Sequence, residues 1–231
     1  MREALRRRVL AANIELMSRG LAHASFGNVS EIDRASGIVA IKPSGVAYTE
    51  LSEDDIALVR LDDAERVDGR RPSSDTPTHL ELYRAWRNIG GVAHTHSTWA
   101  TSWAQACRPI PCVGTTHADY FSGPVPCTRV LEDHECGDEY EQRTGAAIIE
   151  ALDNLDPSEL PGILVASHGP FTWGVGAADA VENASALEKI SLLAYHTVVL
   201  SASDEPISAA LHERHYRRKH GPTAYYGQVV E

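Results

Sequence analysis

Two histidines, His94 and His96, stand in the short run Val92-Ala93-His94-Thr95-His96-Ser97, just after the helix-breaking pair Gly90-Gly91. A run of this kind reads as a strand, on which alternate side chains share a face. His94 and His96 then point the same way and can bind one metal ion, whereas on a helix they would diverge by about 200°. A third histidine, His168, ends the apolar run Gly162-Ile163-Leu164-Val165-Ala166-Ser167 and is followed by Gly169. A strand that delivers a histidine at its end, before a permissive loop, suits a ligand. Three neutral imidazoles, with a carboxylate or water in the fourth place, fit Zn²⁺ or another divalent ion such as Mn²⁺ or Co²⁺. A bare His-x-His is otherwise two ordinary histidines; the third moves the reading to a metal centre.

Three further segments look made for an anion. Gly27-Asn28 offers an unobstructed backbone amide and a side-chain amide. Lys42-Pro43-Ser44-Gly45 offers a charge, a hydroxyl and a glycine amide. Ser73-Ser74 places two hydroxyls before a helix start, where free amides and the helix dipole favour negative charge. Each segment alone is an ordinary turn. Together Asn28, Lys42, Ser44, Gly45, Ser73 and Ser74 suggest a small phosphorylated substrate, since neither a G-x-x-x-x-G-K-[ST] nor a G-x-G-x-x-G motif occurs.

The elements that must position these residues follow from periodicity. Residues 3–19 repeat Leu5, Val9, Ala12 and Leu16 at helical spacing and stop at Gly20. Residues 24–30 and Ile38-Val39-Ala40-Ile41 flank the turn signal Ser36-Gly37 and read as a hairpin. Residues 56–61 read as a strand, with a turn at Val67-Asp68-Gly69. Thr76 is positioned to cap a helix with Pro77 at its first position. Trp99 to Ala106 reads as a short helix, and residues 114–121 as a polar, irregular stretch. Helices are expected over 138–153, 178–200 and 206–219, the second with Ala180, Ala184, Leu187, Ile190, Leu193 and Ala194 on its apolar face.

At 231 residues one α/β domain is the simplest organisation. The net charge of −11 argues against nucleic acid as a partner. No apolar run reaches the ~18 residues of a membrane span. Arg6-Arg7-Arg8 has no apolar stretch behind it and reads as a solvated helix face. Cys107, Cys112, Cys127 and Cys136 form no CxxC pair, so free buried thiols in a reducing cytoplasm are expected.

With these residues in view, the sequence resembles the class II aldolase/epimerase family over nearly its whole length. The likeness rests on seven motifs in order. They are Gly27-Asn28-Val29-Ser30, Lys42-Pro43-Ser44-Gly45, residues 73–79, His94-Thr95-His96-Ser97, residues 114–121, Ser167-His168-Gly169-Pro170-Phe171, and a tail from Lys219-His220-Gly221 to Tyr225-Tyr226-Gly227-Gln228. The resemblance implies an αβα three-layer fold around a central, largely antiparallel sheet, and a cyclic homotetramer with sites shared between subunits. It implies a divalent metal, usually Zn²⁺, on His94, His96 and His168 with Asp75 nearby. Aldolases of the family carry Glu at the Asp75 position, and the shorter Asp favours an epimerase. Asp119 and, from a neighbouring subunit, Tyr226 are the implied acid/base pair, with His215 orienting or relaying protons. The implied reaction is C3–C4 cleavage and re-addition, interconverting L-ribulose 5-phosphate and D-xylulose 5-phosphate. An aldolase or a dehydratase acting on a related phosphorylated sugar would use the same metal and cradle.

Overall fold

The run Ile38-Val39-Ala40-Ile41 has no polar face because both of its faces are covered. The computed structural model describes residues 2–220 and 224–225. Its strands are β1 (Asn28–Asp33), β2 (Ile38–Ile41), β3 (Ala57–Arg60), β4 (Arg66–Asp68), β5 (Gly91–His94), β6 (Gly162–Leu164) and β7 (Pro170–Gly174). They form one sheet of order β4-β3-β2-β1-β5-β7-β6, and every neighbouring pair is antiparallel. The helices are α1 (Arg2–Ser18), α2 (Thr76–Ala85), α3 (Thr98–Gln105), α4 (Thr115–Ala118), α5 (Tyr140–Ala151), α6 (Ala177–Ser201) and α7 (Ala209–Lys219).

The pleat sorts the strand side chains between two helical layers. Val39 and Ile41 of β2 and Val92 of β5 share a core with Leu80 and Tyr83 of α2 and Ile148 of α5. On the other face, Ile38 and Ala40 cluster with Leu5 and Val9 of α1. Ala93 clusters there with Ala177, Ala180, Val181 and Ala184 of α6. Helices thus cover both faces of an antiparallel sheet, as expected. No helix among the described residues is long and apolar enough to cross a membrane.

Several local expectations need correction. Val67-Asp68 belongs to the edge strand β4, which pairs with β3 across an irregularity at Leu58/Val59; a short, charged edge strand gives little periodic signal. Residues 115–118 make one helical turn inside the stretch read as irregular. Leu193 is not on a buried face. The C-terminal half of α6 packs on α3, with Trp103 Nε1 donating to the Ser191 carbonyl at 3.1 Å, and Leu193, Val199 and Leu200 stay exposed. The Arg6-Arg7-Arg8 run is more than a solvated face, because Arg6 pairs with Asp68 at 2.9 Å and Arg8 with Glu31 at 2.6 Å. The cysteines are free thiols, but Cys107 and Cys136 are exposed rather than buried.

Strand β5 is pressed against the start of α6. A Cβ on Gly91 would lie 2.2 Å from the Gly176 backbone, so no side chain fits there. Gly91→Ala is expected to cost about 1–3 kcal/mol as the layers part, lowering the thermal midpoint by about 2–4 °C per kcal/mol. An unchanged midpoint would show that β5 and α6 are not in rigid contact.

Candidate metal centre and phosphate cleft

His94 is the last residue of β5, paired with Asn28 of β1 on one side and Phe171 of β7 on the other. Its ring is buried and stacks on the Phe171 ring, centroids 4.2 Å apart and planes 16° from parallel. His94 Nδ1 lies 3.0 Å from the Pro170 carbonyl. A carbonyl can only accept, so Nδ1 carries the proton and Nε2 presents a lone pair. The chain just before β1 is held close to this position. Gly27 has φ +79°, and a Cβ there would meet the His94 carbonyl at 2.9 Å.

His96 lies beyond the strand, in the extended segment leading to α3. The one-strand reading of His94 and His96 is therefore corrected: β5 ends at His94, because Pro170, opposite Thr95, accepts from the Thr95 amide but has no N–H to return the bond. The shared direction persists all the same, and the two Nε2 atoms are 3.1 Å apart. His168 is likewise not at a strand end. It sits in the β6–β7 turn, after Ser167 at φ +62°, with its own amide donating to the Val165 carbonyl at 3.0 Å. The three rings meet edge to face, with centroids 4.8 to 5.1 Å apart, and their ligating nitrogens lie within 4.8 Å of one another.

The electrostatics keep these rings in the metal-binding form. Burial pushes His94 down to about 3, against the opposing pull of Asp75. Burial also lowers His96 and His168. All three are then neutral imidazoles at neutral pH, as ligands must be. The 3.1 Å between the His94 and His96 Nε2 atoms suits a shared ion, since Zn–N bonds of about 2.0–2.1 Å in a tetrahedron place two ligand nitrogens about 3.3–3.4 Å apart. Asp75 stands beside this cluster rather than within it. It occupies the N-cap position of α2, where Thr76 was expected. Its carboxylate accepts from Asn28 Nδ2 at 2.6 Å. Burial opposes its charge, but His94, His79 and the Asn28 amide together hold the carboxyl below its usual range.

A cleft of about 440 Å³ opens on the histidines. Its walls include Asn28, Lys42, Ser44, Gly45, Ser73, Ser74, Asp75, His96, Tyr140 and His168. The three anion-binding segments thus come together from distant parts of the chain. Lys42 is 1% exposed. Its ammonium makes two long hydrogen bonds, 3.4 Å to the Ser25 and Pro43 carbonyls, and lies 4.8 Å from the Tyr48 ring. It has no carboxylate partner among the described residues, so a buried cation faces a cleft lined by the Ser44 and Ser74 hydroxyls. Asn28 shares this wall. Its amide donates to Asp75 and, at 3.1 Å, to Ser73 Oγ, while its Oδ1 is buried without a partner. It braces Asp75 and Ser73 from within the cleft wall.

Asp119 and His215 lie apart from these walls. The Asp119 carboxylate accepts from Arg218 at 2.9 and 2.6 Å and from His215 Nδ1 at 3.1 Å. His220 donates to the Asp119 carbonyl at 2.9 Å, and His212 to the Phe121 carbonyl at 3.1 Å. Helix α7 thus clamps residues 119–121. Burial opposes ionisation of Asp119, but Arg218 and His215 hold its carboxyl below the usual range. Tyr226 lies outside the described residues. Two residues of evident importance escaped the sequence reading. Arg218 is there simply one residue of the helix expected over 206–219, and Tyr140 one residue of the helix expected over 138–153.

Comparison with known proteins agrees with this geometry. The family model for the class II aldolase and adducin N-terminal domain matches residues 7–195. A curated relative from Salmonella paratyphi C (strain RKS4594), the L-ribulose-5-phosphate 4-epimerase UlaF, is 50% identical over 226 residues, covering 98% of this chain and 99% of its own. The protein of the same name from Salmonella typhi is 51% identical over 227 residues, with the same coverage. Among solved structures, an L-fuculose 1-phosphate aldolase superposes with a TM-score of 0.78 at 21% identity, over 93% of this chain and 95% of its own. The L-fuculose-1-phosphate aldolase from Thermus Thermophilus superposes with a TM-score of 0.68 at 21% identity, over 88% and 100%. These last two show a shared fold. Sequence match, fold and histidine cluster agree, and the chain belongs to the class II aldolase and adducin N-terminal domain family.

Proposed function

We propose that this chain is a metal-dependent 4-epimerase that interconverts L-ribulose 5-phosphate and D-xylulose 5-phosphate. The observation that carries this reading is the three-histidine cluster opening on a cleft that holds a buried, carboxylate-free Lys42. The names of relatives about half identical over nearly the whole chain support the same substrate.

The hydrogen on C4 of a ketopentose phosphate is not α to the C2 carbonyl, so direct deprotonation there faces a very high barrier. Cleavage of the C3–C4 bond avoids it, giving a dihydroxyacetone enediolate and glycolaldehyde phosphate. His94, His96 and His168 would hold Zn²⁺, which supplies Lewis acidity for the enediolate charge when bound. Lys42, Ser44, Gly45 and Ser74 hold the phosphate while the aldehyde turns its other face, and Ser73, braced by Asn28, shapes the same wall. Re-addition then inverts C4. A proton must be taken from the C4 hydroxyl on one face and returned on the other, the roles we give to Asp119 and Tyr226, with His215 orienting Asp119. Asp119 does not line the cleft of its own chain, which supports a site completed by a second copy in a homotetramer. Exposed apolar side chains on α6, Val199 and Leu200 among them, support such assembly. The free thiols suit the cytoplasm.

The test is incubation of the Zn²⁺-loaded protein with L-ribulose 5-phosphate while following D-xylulose 5-phosphate. Conversion without release of free glycolaldehyde phosphate is expected; accumulation of that aldehyde would make the protein an aldolase. In the same assay Lys42→Met should raise KM about 10- to 150-fold, the equivalent of the roughly 1.5–3 kcal/mol of a charged hydrogen bond. Ser74→Ala should raise KM less. Unchanged kinetics in both variants would remove the phosphate cradle.

A further inference from the structure

Tyr140 is the first residue of α5 and part of the cleft wall. Its hydroxyl is 3.1 Å from Nδ1 of His168. The two ring centroids are 6.1 Å apart and the planes tilted by 32°, so the contact is a hydrogen bond and not a stack. A neutral imidazole carries one N–H, and its place is set by the partner of each nitrogen. Tyr140 occupies Nδ1, so Nε2 is the His168 nitrogen left for a site shared with His94 and His96. To offer a lone pair at Nε2, His168 must keep its proton on Nδ1. The phenol oxygen must then accept, just as the Pro170 carbonyl does for His94.

We propose that Tyr140 is the positioning residue of His168: its oxygen accepts the Nδ1 proton, fixing the ring and turning the Nε2 lone pair toward His94 and His96. This rests on the metal-centre reading above. The backbone around Tyr140 is built to hold it. Thr78 of α2 donates to the Glu141 carbonyl at 2.6 Å. A Cβ on Gly145 would come within 2.8 Å of Glu81, so α5 lies tight on α2. Helix α2 thereby anchors both Asp75, at its N-cap, and Tyr140.

The test compares Zn²⁺-loaded full-length protein with its Tyr140→Phe variant by chelator competition, and reads the His168 tautomer in the loaded wild type by ¹⁵N NMR of its imidazole. Expected are a loss of Zn²⁺ affinity of about 10-fold or more in the variant, and a His168 protonated at Nδ1 with the metal on Nε2. A variant affinity indistinguishable from wild type, or a metal on Nδ1, would overturn the proposal. Should the variant fail to fold, the wild-type spectrum decides alone. Wild type that binds Zn²⁺ but does not epimerise would sink the functional reading while the affinity comparison still judges Tyr140. Wild type that binds no Zn²⁺ would overturn both.

Discussion

His94→Asn is expected to abolish Zn²⁺ binding and to lower kcat/KM at least about a thousandfold, roughly 4 kcal/mol of lost transition-state stabilisation. The reach of the side chain explains the size. Imidazole Nε2 extends past the strand to within 3.1 Å of His96 Nε2, and the shorter carboxamide ends before that point. Its Nδ2 can still donate to the Pro170 carbonyl as His94 Nδ1 does, but the ring that stacks on Phe171 is gone. Losing the stack should cost about 0.5–1.5 kcal/mol of stability on top of the activity. His96→Asn separates the two effects. His96 is exposed and lies beyond the ladder, so its loss should remove metal and turnover with little change in thermal midpoint. Metal content by elemental analysis, turnover and melting temperature on both variants check this. Full metal occupancy with full turnover in either would end the metal assignment.

The sequence carried the parts of this site that depend on local pattern. The period-two alternation of Val92, Ala93 and His94 appears in the structure as two packed faces of one strand. Gly27 marks a place where the backbone passes against β5, and a glycine beside an asparagine is visible without coordinates. What stayed hidden depends on partners far along the chain. Nothing near His168 says that its strand stops at Leu164 and that the histidine rides in the following turn. Asn28 has two amide protons in any sequence, and only the fold shows them donating to Ser73 and Asp75. Arg218 is one cation among Arg217-Arg218-Lys219, and the 99-residue separation from Asp119 conceals its pairing with that carboxylate. Tyr140 is hidden for the same reason, since the His168 turn lies 28 residues away. Short-range periodicity thus reported the scaffold and the ligand types. The bracing hydrogen bonds are tertiary and left no local trace.

The second large effect concerns Asp119. As a proton-transfer group it should be worth about 10²- to 10⁴-fold, so Asp119→Asn should lose that much epimerase activity while Zn²⁺ stays bound. Its place in the fold makes a sharper claim possible. Arg218 and His215 hold the Asp119 carboxyl below its usual range, so in the proposed reaction it would be the proton acceptor. Tyr226, a phenol, would return the proton on the opposite face. Asp119 is not among the residues lining its own chain's cleft, whereas His96 and His168 are. If a second copy supplies the carboxylate, the two defects lie on different chains at each site. His94→Asn and Asp119→Asn, each inactive alone, should then complement when unfolded together and refolded as mixed oligomers. In a symmetric head-to-tail assembly with random mixing, about one site in four combines an intact histidine cluster with an intact neighbouring Asp119, so about a quarter of wild-type activity should return. Pairing His94→Asn with Tyr226→Phe poses the same question of the phenol. Pairing Asp119→Asn with Tyr226→Phe then asks whether one neighbour supplies both groups, in which case that mixture stays inactive. A lack of recovery from His94→Asn with Asp119→Asn, with mixed oligomers confirmed by mass spectrometry, would mean that Asp119 serves the cleft of its own chain or takes no part in proton transfer.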